Sequence, residues 1–126
     1  MKFLLILLTF LAIDCSNTDE IISQEVEKKA LETLAKEIVN LAETSICSED
    51  FTCEYIGFGE KPCGGNWEYL VYSNSIDVVD FLAKVKTYNE LEKQYNIKYG
   101  LMSNCMAVSP PNEVICENGK CKAIYD

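Results

Sequence analysis

Apolar positions follow three distinct rhythms along this chain. Over residues 3–13 they run unbroken except at Thr9, directly behind a lysine at position 2. Farther on they recur every three or four residues, at Val26, Ala30, Leu31, Leu34, Ile38, Leu41 and Ala42, while Glu27, Lys28, Glu32, Lys36 and Glu37 fill the other side. That period predicts a helix over 23–43 with one stripe on a core and one in water. Glu32 and Lys36 add an i,i+4 pair in the better orientation. The same period returns at Val78, Phe81, Leu82, Val85, Tyr88, Leu91 and Tyr95. It predicts a second helix, capped by Ser75, with Asp77 favourable to the dipole in its first turn. This helix should run to about Asn96, with Gly100 as its stop.

The third rhythm is alternation. Phe51, Cys53 and Tyr55 alternate with Thr52, Glu54 and Ile56, which reads as a strand. Residues 57–66 hold four glycines and one proline, a long turn, and 67–72 make a second strand that can pair with the first. Residues 105–108 predict a third, short strand, ended by Ser109-Pro110-Pro111-Asn112. Two last strands, 114–116 and 121–125, flank Glu117-Asn118-Gly119-Lys120, and Asn-Gly between apolar runs is a strong hairpin signal. The order α-β-β-α-β-β-β predicts an α+β fold over 23–126, with two amphipathic helices on a mainly antiparallel sheet. A chain of 126 residues suffices for one such domain.

The unbroken apolar run needs another explanation. Spanning a bilayer takes about 20 residues, so an eleven-residue run behind one lysine fits a secretory signal over 1–14 instead. Cys15 follows at once, and Ser16-Asn17-Thr18-Asp19-Glu20 opens what reads as a polar tether over 15–22. Bacterial lipoproteins carry a lipid on a cysteine in this place. Ala12 and Asp14 stand where such signals usually have Leu and a small residue, yet no small-x-small cleavage site stands out nearby. The expectation is lipidation at Cys15 and an envelope location. The alternative is soluble secretion, with cleavage near 14–17.

The other six cysteines, Cys47, Cys53, Cys63, Cys105, Cys116 and Cys121, form an even set suited to three disulfides in an oxidising compartment. Structural zinc wants close ligand pairs or histidines; the gaps are five, nine, forty-one, ten and four residues, and histidine is absent. Fifteen pairings are possible. Cys116 and Cys121 lie opposite in the Asn-Gly hairpin and can bond to each other. From one face they can also reach Cys47, Cys53 or Cys63, which closes longer loops and is the pairing expected here.

Charge and residue types then exclude functions. Beyond residue 14 the chain carries ten lysines against nineteen carboxylates and no arginine, so it repels phosphate backbones and nucleic-acid binding is not expected. Without histidine there is no Ser-His-Asp or Cys-His relay, and the thiols are used in bridges. Asp77 and Asp80 share a helix face as capping or solvated acids, and Ser48-Glu49-Asp50 fits no calcium loop. We expect no catalysis and no cofactor or metal, with the membrane reached through the lipid anchor only. The distinctive stretch is the glycine loop. Lys61, Pro62, Gly64, Gly65, Asn66 and Trp67 form a candidate recognition loop fixed at Cys63, for a protein or small ligand that the residues do not name. A protease inhibitor presenting Lys61, or the segment 109–113, is the alternative. Pro62 after Lys61 argues against it, because proline there hinders fit to a trypsin-like pocket.

Taken together, Cys53 near a strand, Lys61-Pro62-Cys63-Gly64-Gly65 with Trp67 and Tyr69, Tyr88-Asn89, Cys105, and Cys116-Glu117-Asn118-Gly119-Lys120-Cys121 form a pattern over about 47–122. It resembles a group of small cysteine-rich bacterial lipoproteins. The resemblance implies export and disulfides, and carries neither an activity nor a catalytic residue.

Overall fold

A computed structural model describes residues 16–126. The expected signal over 1–14 and the lipidated Cys15 lie outside the described residues. The elements run α1 (Ser16–Thr44), β1 (Cys53–Phe58), β2 (Glu68–Ser73), α2 (Val78–Lys98), β3 (Glu113–Glu117) and β4 (Lys120–Ile124). The α+β class and its disulfides are as the sequence predicted.

α1 and α2 lie antiparallel, as the pairs Lys98–Glu27 at one end and Lys84–Glu37 at the other require. Beneath them sits the hairpin of β1 and β2, in register from Cys53↔Ser73 to Phe58↔Glu68. The core is where three elements meet: Ile38 and Ala42 from α1, Phe58 and Tyr72 from the hairpin, and Phe81, Val85 and Tyr88 from α2. Phe58 stacks on Tyr88 with ring centroids 4.7 Å apart, and Tyr72 leans on Phe81 at 4.8 Å.

Instead of one sheet there are two, each of two strands. β3 and β4 form a separate hairpin whose turn uses the left-handed region at Asn118 (φ 51) and Gly119 (φ 76), the type I′ geometry that Asn-Gly favours. Two bridges fasten it to the rest: Cys47–Cys116 to the segment just past α1, and Cys53–Cys121 to the first residue of β1. Cys116 and Cys121 do face each other across the ladder, and both bond outward, as expected from loop length. No basic residue occupies α1's last turn, so its terminal carbonyls are met from outside. Lys120 Nζ donates to the Glu43 carbonyl at 2.8 Å, which suits the negative end of the helix.

Besides the split into two sheets, several expectations need correction. α1 begins at Ser16 and not Ser23, so residues 16–22 continue the helix where a tether was expected; this stretch contains no Gly or Pro to break it. The cap of α2 is Asp77, whose carboxylate accepts the Asp80 N–H, because Ser75 Oγ is taken by the Ile46 N–H at 2.9 Å. Leu91, expected on the buried face of α2, is exposed beside α1, and Val26 and Ala30 of the stripe expected on α1 are exposed too. Finally, residues 105–108 are not a strand. They belong to an irregular strap over 99–112. There Cys105 is bridged to Cys63 and the Met106 carbonyl accepts from a lysine instead of a neighbouring strand.

Candidate functional site

The glycine loop is built onto α2 by a polar stripe. Asn89, Glu92 and Asn96 recur at three and four residues, so they share one face of the helix. Asn89 Oδ1 accepts the Gly59 N–H at 2.8 Å, and Asn89 Nδ2 donates to the Gly57 carbonyl. Glu92 Oε1 accepts the Glu60 N–H at 2.6 Å, and Asn96 Nδ2 donates to the Glu60 carbonyl at 2.7 Å. The loop backbone thus finds helix side chains in place of a strand partner. Glu92 Oε2 also accepts the Tyr88 O–H at 2.7 Å. Burial foremost, with the charge of Glu92 and then of Glu68 and Glu32, holds the Tyr88 hydroxyl well above the usual phenol range.

The residues singled out from the sequence separate into distinct roles. Lys61 is buried, at 5% exposure. Its Nζ donates to Asn104 Oδ1 at 3.1 Å and to the Met106 carbonyl at 2.7 Å, and it sits 5.2 Å from the centre of the Trp67 ring. As a presented specificity side chain Lys61 is therefore a correction: it ties the strap to the loop, because its ammonium is the donor that the strap's acceptors meet. Gly64 and Gly65, both at positive φ, shape the turn in which the Lys61 N–H donates to the Gly65 carbonyl. Asn66 lies against Gly57, where a Cβ would fall 2.1 Å from Asn66 Nδ2, so any larger residue there would displace the Asn66 side chain. Pro62 is half-buried, and Trp67 keeps 45% of its surface in water.

Trp67 and Pro62 belong to a groove of about 360 Å³ between α1, α2, the loop and the strap. Tyr88 and Tyr95 of α2 also line it, together with Leu101 and the strongly exposed Met102 of the strap. Leu31 forms its floor on α1, and Lys28 and Glu32 stand on its lip. A larger cleft, about 530 Å³, opens on the other side of Pro62. Its wall includes both Glu60 and Lys93 and it lacks an aromatic ring, so it offers less to a ligand than the groove.

The sequence reading did not find Leu101, Met102, Tyr95 or Glu32 as site residues. One signal was available: three polar residues, Asn89, Glu92 and Asn96, interleaved with Tyr88 and Tyr95 mark a helix face that binds backbone. The sulfurs of Cys47, Cys53 and Cys121 lie within 4.8 Å of one another, but all three belong to disulfides, which leaves no thiolate to hold a metal. Among the described residues no helix is long and apolar enough to cross a membrane. Comparisons with known protein families, with curated proteins and with solved structures return no match for this chain.

Proposed function

We propose that this chain is an exported, non-catalytic binding module, held at the cell envelope by a lipid on Cys15 and akin to the small cysteine-rich bacterial lipoproteins it resembles. One observation carries the reading: Trp67, Leu101 and Met102 stay in water at the mouth of a groove whose walls are immobilised. The loop is fixed by four hydrogen bonds from α2, and the strap by Cys63–Cys105 and Lys61. Exposed apolar side chains on a rigid frame bind with little ordering cost. The absence of histidine and the engagement of the six cysteines 47–121 in bridges support a non-catalytic role. Burial of Lys61 counts against an inhibitory loop.

Two measurements test this. Mass spectrometry of the N-terminal peptide should find a diacylglyceryl group on Cys15, and Cys15→Ser should release the protein from membranes. A mature N-terminus beyond Cys15 would end the anchor. A photo-crosslinker placed at Met102 should yield one discrete adduct in the native envelope, lost with Trp67→Ala. Identical adducts from a crosslinker at Val79, exposed on the first turn of α2, would refute a specific surface.

A further inference from the structure

The two bridges that fasten the β3–β4 hairpin lie side by side. Cys47–Cys116 and Cys53–Cys121 bring the sulfurs of Cys47, Cys53 and Cys121 within 4.8 Å of one another. Cys116 is exposed while Cys47 is buried, so a thiolate from outside meets the Cys47–Cys116 bridge at Cys116. The backbone of Cys116 is in turn paired with that of Cys121 across the ladder. Opposed residues of an antiparallel pair lie about 4.5–5.5 Å apart at Cα, inside the span that a disulfide bridges. Cys63–Cys105, the third bridge, contributes no sulfur to this cluster. The hairpin itself is separable from the core. Among the described residues, neither β3 nor β4 supplies a member of the core or a hydrophobic side chain packed on it. Besides the bridges, its turn is held by the Cys47 N–H on the Gly119 carbonyl at 2.9 Å and by Lys120 on the end of α1.

We propose that Cys47, Cys53, Cys116 and Cys121 form a thiol–disulfide exchange site, at which a small-molecule thiol releases the β3–β4 hairpin from the rest of the domain. The thiolate attacks Cys116 Sγ, forms a mixed disulfide there and expels Cys47 as a thiolate. Cys47 Sγ then attacks Cys53 Sγ; the Cys47–Cys53 bond forms, the Cys53–Cys121 bond breaks, and the electron pair leaves on Cys121. Cys121 in turn attacks Cys116 Sγ, closing Cys116–Cys121 and returning the small thiol as its thiolate. Two bridges among these four cysteines exist before and after, so nothing is oxidised or reduced overall. In the product the hairpin carries its own bridge and Cys47–Cys53 closes a short loop in the body, so no disulfide joins the two.

The folded, oxidised full chain is treated with reduced glutathione at a small fraction of the protein concentration, quenched in acid and mapped for disulfides by mass spectrometry. Cys47–Cys53 and Cys116–Cys121 should appear while Cys63–Cys105 stays intact. An isolated two-stranded hairpin is marginal, so amide hydrogen exchange across 113–124 should quicken while α1 and α2 keep their protection. Unchanged native bridges would overturn the proposal, as would Cys47–Cys121 with Cys53–Cys116, which leaves the hairpin tied. Bridges from Cys63 or Cys105 to the other four would mean exchange through global unfolding and would overturn it too. Cys116→Ser tests the internal step without added thiol. It leaves Cys47 unpaired beside Cys53–Cys121, and alkylation of the folded variant should find the free thiol on Cys121 as well as on Cys47. Cys105→Ser, the control, should keep its free thiol on Cys63 alone. Alkylation of Cys116→Ser confined to Cys47 would overturn the inference.

Discussion

Replacing Lys61 by alanine decides between a lysine that recognises and a lysine that builds. An exposed, presented lysine is worth little to folding, within about 0.5 kcal/mol. In the structure its ammonium is buried and makes two hydrogen bonds to the strap, each charge-assisted and worth about 1.5–3 kcal/mol. Contact with the Trp67 ring contributes about 0.5–1 kcal/mol more. Against these stands the penalty of holding an ammonium out of water without a carboxylate, which is several kcal/mol and is recovered on removal. Asn104 and Met106 are themselves exposed, so water can partly replace the lost donor. Taking low values for the bonds and partial recovery of the penalty leaves a net loss of about 2–3 kcal/mol for Lys61→Ala. With a urea slope near 1.5 kcal/mol/M, the unfolding midpoint should fall by about 1.3–2 M. Lys61→Met keeps the apolar stem and should fall by less. Lys93→Ala, at an exposed position, should stay within about 0.5 kcal/mol as the control. A change below that threshold for Lys61→Ala would refute the strap-latch argument and reopen Lys61 as a recognition residue.

Other expectations follow from the same frame. Cys63→Ser/Cys105→Ser opens a loop of 42 residues, whose closure is worth about 4 kcal/mol by the chain-entropy estimate, and limited proteolysis should then cut first within 99–112. Phe81→Ala empties a fully buried site between Tyr72 and the helices and should lose about 3–5 kcal/mol in denaturant titration. Tyr72 is pushed up to about 12 by burial and by its hydrogen bond to the Glu54 carboxylate. Since its folded value lies above the unfolded value of about 10, its contribution is whole below pH 10 and is lost as pH rises from about 10 through about 12; ultraviolet titration of Glu54→Gln should show a lower Tyr72 value.

Much of the fold was legible because local chemistry and tertiary structure agree. The 3.6 period of α2, the Asn118-Gly119 turn and the pairing across the glycine loop each need only neighbours in sequence. The outward bonding of Cys116 and Cys121 was legible too, because both project from one face of a short hairpin. What escaped was non-local. Residues 105–108 have strand composition, yet a strand forms only beside a partner edge, and here Cys63 and Lys61 hold the segment away from one. Ser75 precedes a helix and has cap chemistry, but a distant N–H at Ile46 takes its hydroxyl, and Asp77 caps in its place. For Lys61 the sequence gives a charge in a glycine loop, and only the strap, more than forty positions on, makes it a buried donor.

The distribution of apolar surface bears on the binding reading. Among the described residues eight hydrophobic side chains are buried, a small core for a domain of this length, and three disulfides supplement it. In such a domain every large apolar group turned inward matters, and fully burying one contributes about 1.5–3 kcal/mol. Yet Trp67 remains half in water, and Leu101 and Met102 are exposed beside it. The loop that carries Trp67 is meanwhile fixed by amides, a carboxylate, a lysine and a bridge, so disorder does not account for the exposure. Polar ties thus hold Trp67 half exposed on a fixed loop, and that exposure is what the proposed binding role would use.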